Sequence, residues 1–315
     1  MGPVLRLPPM DLSSSPSRKR GGLLALLVCA SIWGLAFSAQ KKGMEFLGPC
    51  GFNAIRSFIG ALALVPCIAL LDHLDGRKPS LWGSARTPIG RIQLLVGGLL
   101  CGLALGCASL CQQVGIVGAA VGKAGFLTAL YIIIVPIFAT FLGRKTSVVV
   151  WIAAVLALAG SALLCGVSLK GFSLQGSDLW LLACAVLFAV QILLVDRYVA
   201  RTDCFRLSFL QFLCAGVVSL VVVPFAGESL SLSAITKALW PLLFCGVLSS
   251  GVAYTLQCVG QKYVHPVVAT LVMSLESVIS ALGGWILLGE TLNAREIIGC
   301  CIIFAAVLMA QFRKD

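Results

Sequence analysis

The sequence predicts an all-α polytopic membrane protein, with ten transmembrane helices arranged as two inverted five-helix repeats. Three observations carry this expectation. Of 315 residues, 59% are hydrophobic and 11% charged, and the mean hydropathy is +1.04. Soluble domains carry about 25% charged residues, and a chain this apolar folded in water would expose large apolar patches. The bilayer is the solvent that fits. Second, apolar runs of about 20 residues, long enough to cross the hydrocarbon core as helices, recur ten times. Third, the two halves of the chain match one another with their loop charges reversed.

The runs follow in order. Residues 1–21, rich in Pro and Ser as far as Ser17, read as a disordered cytoplasmic tail. Arg18-Lys19-Arg20 precedes the first run, 22–39, which is longer than a signal-peptide apolar region and matches a later internal segment; it reads as the first span. Gly48-Pro49-Cys50-Gly51 separates it from 52–71, and Asp72-His73-Leu74-Asp75-Gly76-Arg77-Lys78-Pro79 leads toward 92–111. The runs 118–141 and 147–167 complete a first repeat over 22–167. A second repeat, 178–312, holds 178–195, 207–226, 238–257, 266–288 and 294–312. The ninth run opens at Pro266 and closes at Leu288, with Glu276 at its midpoint. A carboxylate there costs roughly 2.5–3.5 kcal/mol on insertion scales, so its presence asks for a reason.

A net charge of +11 raises the possibility of a nucleic-acid partner, but the positions of the cations exclude it. With the N-terminus cytoplasmic, sixteen fall inside: Arg6, Arg18, Lys19, Arg20, Arg77, Lys78, Arg86, Arg91, Arg144, Lys145, Arg197, Arg201, Arg206, Lys262, Arg313 and Lys314. Five fall outside, namely Lys41, Lys42, Lys170, Lys237 and Arg295, while Arg56 and Lys123 lie within spans. This asymmetry orients polytopic proteins and predicts both termini in the cytoplasm, in a plasma or inner membrane. Nearly all of the 14 cysteines lie inside spans without the Cys/His clustering of a metal site, and read as small packing residues.

The internal match has three anchors. Leu26-Leu27-Val28-Cys29-Ala30 reads onto Leu181-Leu182-Ala183-Cys184-Ala185 at an offset of 155. Gln112-Gln113-Val114-Gly115 reads onto Gln257-Cys258-Val259-Gly260 at 145, and Phe141-Leu142-Gly143-Arg144 onto Leu287-Leu288-Gly289-Glu290 at 146. Five spans per half make the second half enter the membrane from the opposite side. The exchange of Gly143-Arg144-Lys145 for Gly289-Glu290-Thr291 agrees with that inversion. Inverted repeats of this kind place a substrate site near the midplane, between the halves.

Trp33-Gly34 with Phe37, Arg56 early in the second span, Lys123-Ala124-Gly125-Phe126-Leu127-Thr128-Ala129-Leu130-Tyr131 with Pro136, and Leu275-Glu276 with Gly284 and Leu288-Gly289-Glu290 resemble an EamA-type transporter of the drug/metabolite transporter superfamily. The resemblance covers nearly the whole chain after residue 20. It implies ten helices around a central cavity and secondary transport, often efflux, of amino acids or other small metabolites. Two departures stand out: Ser277 replaces the proline that usually follows Glu276, so the kink expected of that proline is not expected here, and Arg144-Lys145 replaces an acid in the first half.

Glu276 corresponds at the 145 offset to Tyr131, which predicts a shared depth. It is a candidate to receive a substrate ammonium or a coupling proton, or to serve as a structural carboxyl bonded between helices. Lys123 lies eight residues before Tyr131 on the same helical face, about 12 Å away along the axis. It is a candidate to attract an anion, or to snorkel to headgroups. Gln112 and Gln257 are repeat partners; with Gln191 and Tyr254 they are uncharged polar candidates for substrate or for helix bridging. Trp33 and Phe37, one turn apart, are candidates for an aromatic cavity wall, and Arg56 for a gating or structural role. Small residues at four-residue spacing, Gly98, Gly102 and Gly106, and Ala30, Gly34 and Ser38, predict close helix approach.

The two histidines, His73 and His265, and the absence of HExxH, GxSxG, phosphate-cradling loops and paired acids argue against an enzyme, and no cofactor is expected. The expected partners are a small-molecule substrate, the lipid bilayer and protons as coupling ion. An exporter of amino acids is the leading expectation. A carrier or exchanger of organic anions or phosphorylated metabolites, held by Lys123 and Arg56, is the alternative.

Overall fold

The computed structural model describes residues 16–311 except Ser84, Arg86, Ala120, 167–174 and 289–291, with backbone alone for 121, 122, 283, 284 and 286–288. Residues 1–15 of the expected tail, the cations Arg6, Arg86, Lys170, Arg313 and Lys314, and Gly289-Glu290-Thr291 lie outside the described residues. Helix α1 spans Pro16–Gly43, so helix begins six residues before the run expected from apolarity, where Pro suits a first turn and Arg and Lys are good helix formers. Helices α2 (Pro49–Leu74) and α3 (Pro88–Gly118) also open on proline, and Thr87 caps α3 by accepting from the Gly90 N–H at 3.1 Å.

The remaining helices are α4 (Val121–Ala129), α5 (Tyr131–Phe141), α6 (Val148–Leu164), α7 (Gly176–Val199), α8 (Cys204–Phe225), α9 (Leu232–Lys237) and α10 (Leu239–Leu243). A π-helical segment, Phe244–Ala253, leads into α11 (Tyr254–Gln261), followed by α12 (Pro266–Met273), α13 (Leu275–Leu288) and α14 (Ala294–Gln311). Among the described residues, eight helical stretches are long and apolar enough to cross a membrane, and two shorter apolar helices, Val148–Leu164 and Pro266–Leu282, accompany them. By length and composition these are the helices of a multi-pass membrane protein.

Three of the expected runs change helical geometry along their length. The run 118–141 is interrupted at Leu130, where turn bonds from the Leu130 N–H to the Leu127 carbonyl and from Ile133 to Leu130 tighten the chain. Pro136, one turn on, withholds a further N–H from the ladder. The run 266–288 breaks at Ser274 although Ser277 stands where a proline was expected. The cause lies upstream. The hydroxyls of Thr270 and Ser274 donate to the Val267 and Leu271 carbonyls, each at 2.7 Å, in competition with the backbone. The run 238–257 passes through the π segment. There α2 crosses so closely that a Cβ on Gly60 would lie 2.7 Å from Ser250 Cβ and 3.0 Å from the Gly246 carbonyl.

Packing follows the small residues. Helix α3 runs along α7 and α8, α2 along α8 and the π segment, α6 along α14, and α1 against α11, α12 and α13. Gly102 faces the Gln211 carbonyl, and Gly106 faces Ala215, so the expected glycine stripe of α3 is the surface against which α8 lies.

Candidate functional site

The interruptions at Leu130 and Ser274 set Tyr131 and Glu276 at the starts of α5 and α13, facing one another: the Tyr131 hydroxyl donates to Glu276 Oε1 at 3.4 Å. These are the residues the 145 offset pairs. Helix α1 closes over them at Gly34, where a Cβ would sit 2.6 Å from the Glu276 carbonyl and 3.0 Å from the Ser280 N–H. Only glycine lets α1 approach the backbone of α13 so nearly at this point.

Between these helices lies a cavity, partly open to solvent and lined by both polar and aromatic side chains. Glu276 and Tyr131 form one part of its wall, and Gln112, Gln191 and Gln257 another. Trp33, Phe37, Tyr254 and Arg56 also line it. The Trp33 and Tyr254 rings meet with centroids 4.6 Å apart, and Tyr254 meets Phe212 edge-on at 5.2 Å. The Trp33 indole N–H donates to the Ser249 carbonyl in the π segment at 3.4 Å. The glutamines form a relay: Gln257 donates to Gln191 and Gln191 to Gln211, each at 3.3 Å.

Arg56 is buried and held by neutral groups. Its Nε donates to Asn53 Oδ1 and its guanidinium to Gln40 Oε1, both at 2.9 Å; Asn53 is in turn anchored on Ser219 at 2.8 Å, and Gln40 receives the Gln113 amide at 2.6 Å. No carboxylate among the described residues pairs with it.

Lys123 is the exception among the expected site residues. It is absent from the cavity wall, and its ammonium lies 2.6 Å from Asp178 Oδ2 at the start of α7. The apolar face that carries Lys123 toward Tyr131 is interrupted at Leu130, and a buried aspartate took the charge that the sequence offered to substrate or headgroups. Residues not anticipated from sequence also reach the cavity: Gln40, Thr128, Phe188, Ile192 and Ser249. Gln40 stands beside Lys41-Lys42 and reads as interfacial, and the others are ordinary span residues. Buried ion pairs were missed as well. Arg206 donates to Asp72 at 2.6 Å, and Arg144 pairs with Asp196. Each joins residues at the margins of spans, where charge carries no unusual signal.

A bundle of membrane-length helices around a polar cavity defines a multi-pass membrane protein with an internal cavity. The chain belongs to the EamA-like transporter family, which matches residues 20–166 and again 175–312. It is 27% identical over 296 residues to an uncharacterized transporter of Archaeoglobus fulgidus, covering 92% of this chain and 85% of the relative. It is 24% identical over 294 residues to the uncharacterized transporter YoaV of Bacillus subtilis, covering 92% and 96%. A solved crystal structure superposes with a TM-score of 0.73 at 20% identity, over 94% of this chain and 97% of that one, which establishes a shared fold. The protein is therefore a membrane transporter.

Proposed function

We propose that the protein is a secondary transporter exporting amino acids or similar small metabolites across the cytoplasmic membrane by alternating access, with the proton as coupling ion. The observation that carries this reading is the cavity's place. It lies where two helices in opposite halves of the chain are interrupted, and where Tyr131 and Glu276, 145 residues apart, touch. Interrupted helices in corresponding positions of inverted repeats are the feature that points to a transporter's binding site. The shorter apolar helices Val148–Leu164 and Pro266–Leu282 complete ten spans in this reading, five in each half. The separate family matches to 20–166 and 175–312 support the two halves. The excess of cations in loops with Arg77, Lys78, Arg144, Lys145, Arg197 and Arg201 supports cytoplasmic termini.

Glu276 supplies the coupling. A carboxylate that holds either a proton or a substrate cation makes the two ligands mutually exclusive, which is the linkage an exchanger needs. Its titratable neighbours are Tyr131 on α5, Tyr254 on α11, Cys29 on α1, Cys165 after α6 and Cys184 on α7, all phenols and thiols, so Glu276 is the carboxylic acid of the group. The organic-anion reading is weakened by the Lys123–Asp178 pair, which neutralises one of its two cations.

The test is uptake into liposomes containing the purified protein, using labelled amino acids and organic acids, with and without an imposed pH gradient. Gradient-driven accumulation of an amino acid is expected. Exchange of anions that ignores the gradient would replace this reading with the anion one.

A further inference from the structure

Two charges inside the bundle lack opposite partners, and both face the same cavity. Arg56, 5% exposed, is held by the amide oxygens of Asn53 and Gln40; Glu276, 9% exposed, receives one phenolic hydrogen bond. No ion pair among the described residues includes either one. A buried charge left in this state costs several kcal/mol unless something compensates it. Helix α1 meets the surroundings of both. Gln40, which holds the guanidinium, and Gly34, which abuts Glu276, are six residues apart on one helix, about 9 Å of rise. Tyr254 lines the same cavity, its ring tilted against that of Trp33.

We propose that Arg56 and Glu276 are the opposite poles of a binding site for a zwitterion, Arg56 taking a carboxylate and Glu276 an ammonium, with the apolar body against Trp33 and Tyr254. The assignment rests on the cavity being the transport site and adds a selectivity to it. Two opposite charges lining one cavity suit an α-amino acid, which carries its ammonium and carboxylate on one carbon. A guanidinium whose remaining N–H groups point at a carboxylate also suits planar, two-pronged recognition better than a lysine would.

The test uses three ligands sharing one apolar body: L-leucine, 3-methylbutylamine, which lacks the carboxylate, and 4-methylpentanoate, which lacks the amine. The same trio is built on L-phenylalanine. Binding to the full-length purified protein is measured by calorimetry, and carriage by counterflow in liposomes. In the wild type, the zwitterion of at least one trio is expected to bind tenfold or more tightly than either of its analogues. Arg56→Gln should abolish the preference over the amine, and Glu276→Gln the preference over the acid. Either analogue binding as well as its zwitterion would overturn the assignment, and this needs no variant, so it stands even where Arg56→Gln fails to fold. Carriage of other compounds with no binding of either trio would remove the zwitterion site and leave the transport reading intact. A protein that carries nothing would remove both.

Discussion

At its two ends α7 is tied by ion pairs, Asp178 to Lys123 and Asp196 to Arg144, whereas between those ends Arg56 and Glu276 face one cavity without an opposite charge among the described residues. The end pairs are separated by 18 residues, about 27 Å of helix, close to the thickness of a hydrocarbon core. The difference separates two uses of charge in one bundle. At the ends, where helices emerge, aspartates are buried and their cations come from neighbouring elements: Arg206 from α8 and Arg77 from the following loop both reach Asp72, at 2.6 and 3.6 Å. Inside, the chain provides amides, a phenol and aromatic rings but no counter-ion. Paired charges hold helices to one another, and the unpaired ones leave their charge available to a ligand.

The comparison breaks most readily at Glu276. Glu276→Gln keeps the size and the Tyr131 contact but removes charge and titration, and transport should fall by about two orders of magnitude, the scale of a lost positioned acid–base group. Its dependence on pH should flatten as well. Equal uptake by variant and wild type from mildly acidic to mildly alkaline pH would remove Glu276 from the mechanism. At the ends the expected loss is of stability instead. Arg206→Ala leaves Asp72, which is fully buried, without its nearest cation; breaking such a pair costs about 3–5 kcal/mol. Thermal unfolding of the detergent-purified variant measures this, and a transition unchanged from wild type would show that Arg77 alone suffices.

Much of the interior site was legible in the sequence because charge and amide groups are conspicuous in an apolar run. Glu276, Arg56 and the glutamines 112, 191 and 257 stand out by type, and the 145-residue offset brought Tyr131 to Glu276 before any coordinates. The end pairs were not legible. Asp72, Asp178 and Asp196 lie at span margins, where charge is ordinary, and pairing across 52 to 134 residues depends on which helices become neighbours. The same ignorance misplaced Lys123. Its helical face pointed toward Tyr131, but nothing local announced the break at Leu130 or the aspartate 55 residues later. The kink near Glu276 was missed for a related reason. Proline is the familiar signal, whereas here the Thr270 and Ser274 hydroxyls bond to the helix's own carbonyls around the turn at Ser274.

A smaller effect tests the closeness of α1 to the cavity. Gly34→Ala adds one methyl group 2.6 Å from the Glu276 carbonyl, which is backbone and cannot swing aside. The helices must separate, at a cost of about 1–3 kcal/mol for such overpacking. Transport should fall further than this loss of stability explains, because the displaced group carries the carboxylate. The same substitution at Gly21, which has nothing within 4 Å, is the control and should be silent. A Gly34→Ala variant that transports as wild type would show that the position of Glu276 is looser than the contact implies.

The smallest expected effect is at Lys123, and it sharpens the contrast with Arg56. Lys123→Met removes one partner of a pair whose lysine is 23% exposed at the side chain, so water shares in solvating the aspartate left behind. Asp178 also keeps the Gln175 N–H at 2.7 Å, within the capping box that starts α7. The expected loss is therefore about 1 kcal/mol, the upper range for partly exposed pairs, and less than at Arg206. The preference among zwitterion, amine and acid should stay as in the wild type. A Lys123→Met variant that loses the preference over the amine would place the carboxylate pole at the end of the bundle and not inside it. Arg56 would then be a structural arginine, and the division between paired and unpaired charges would no longer mark function.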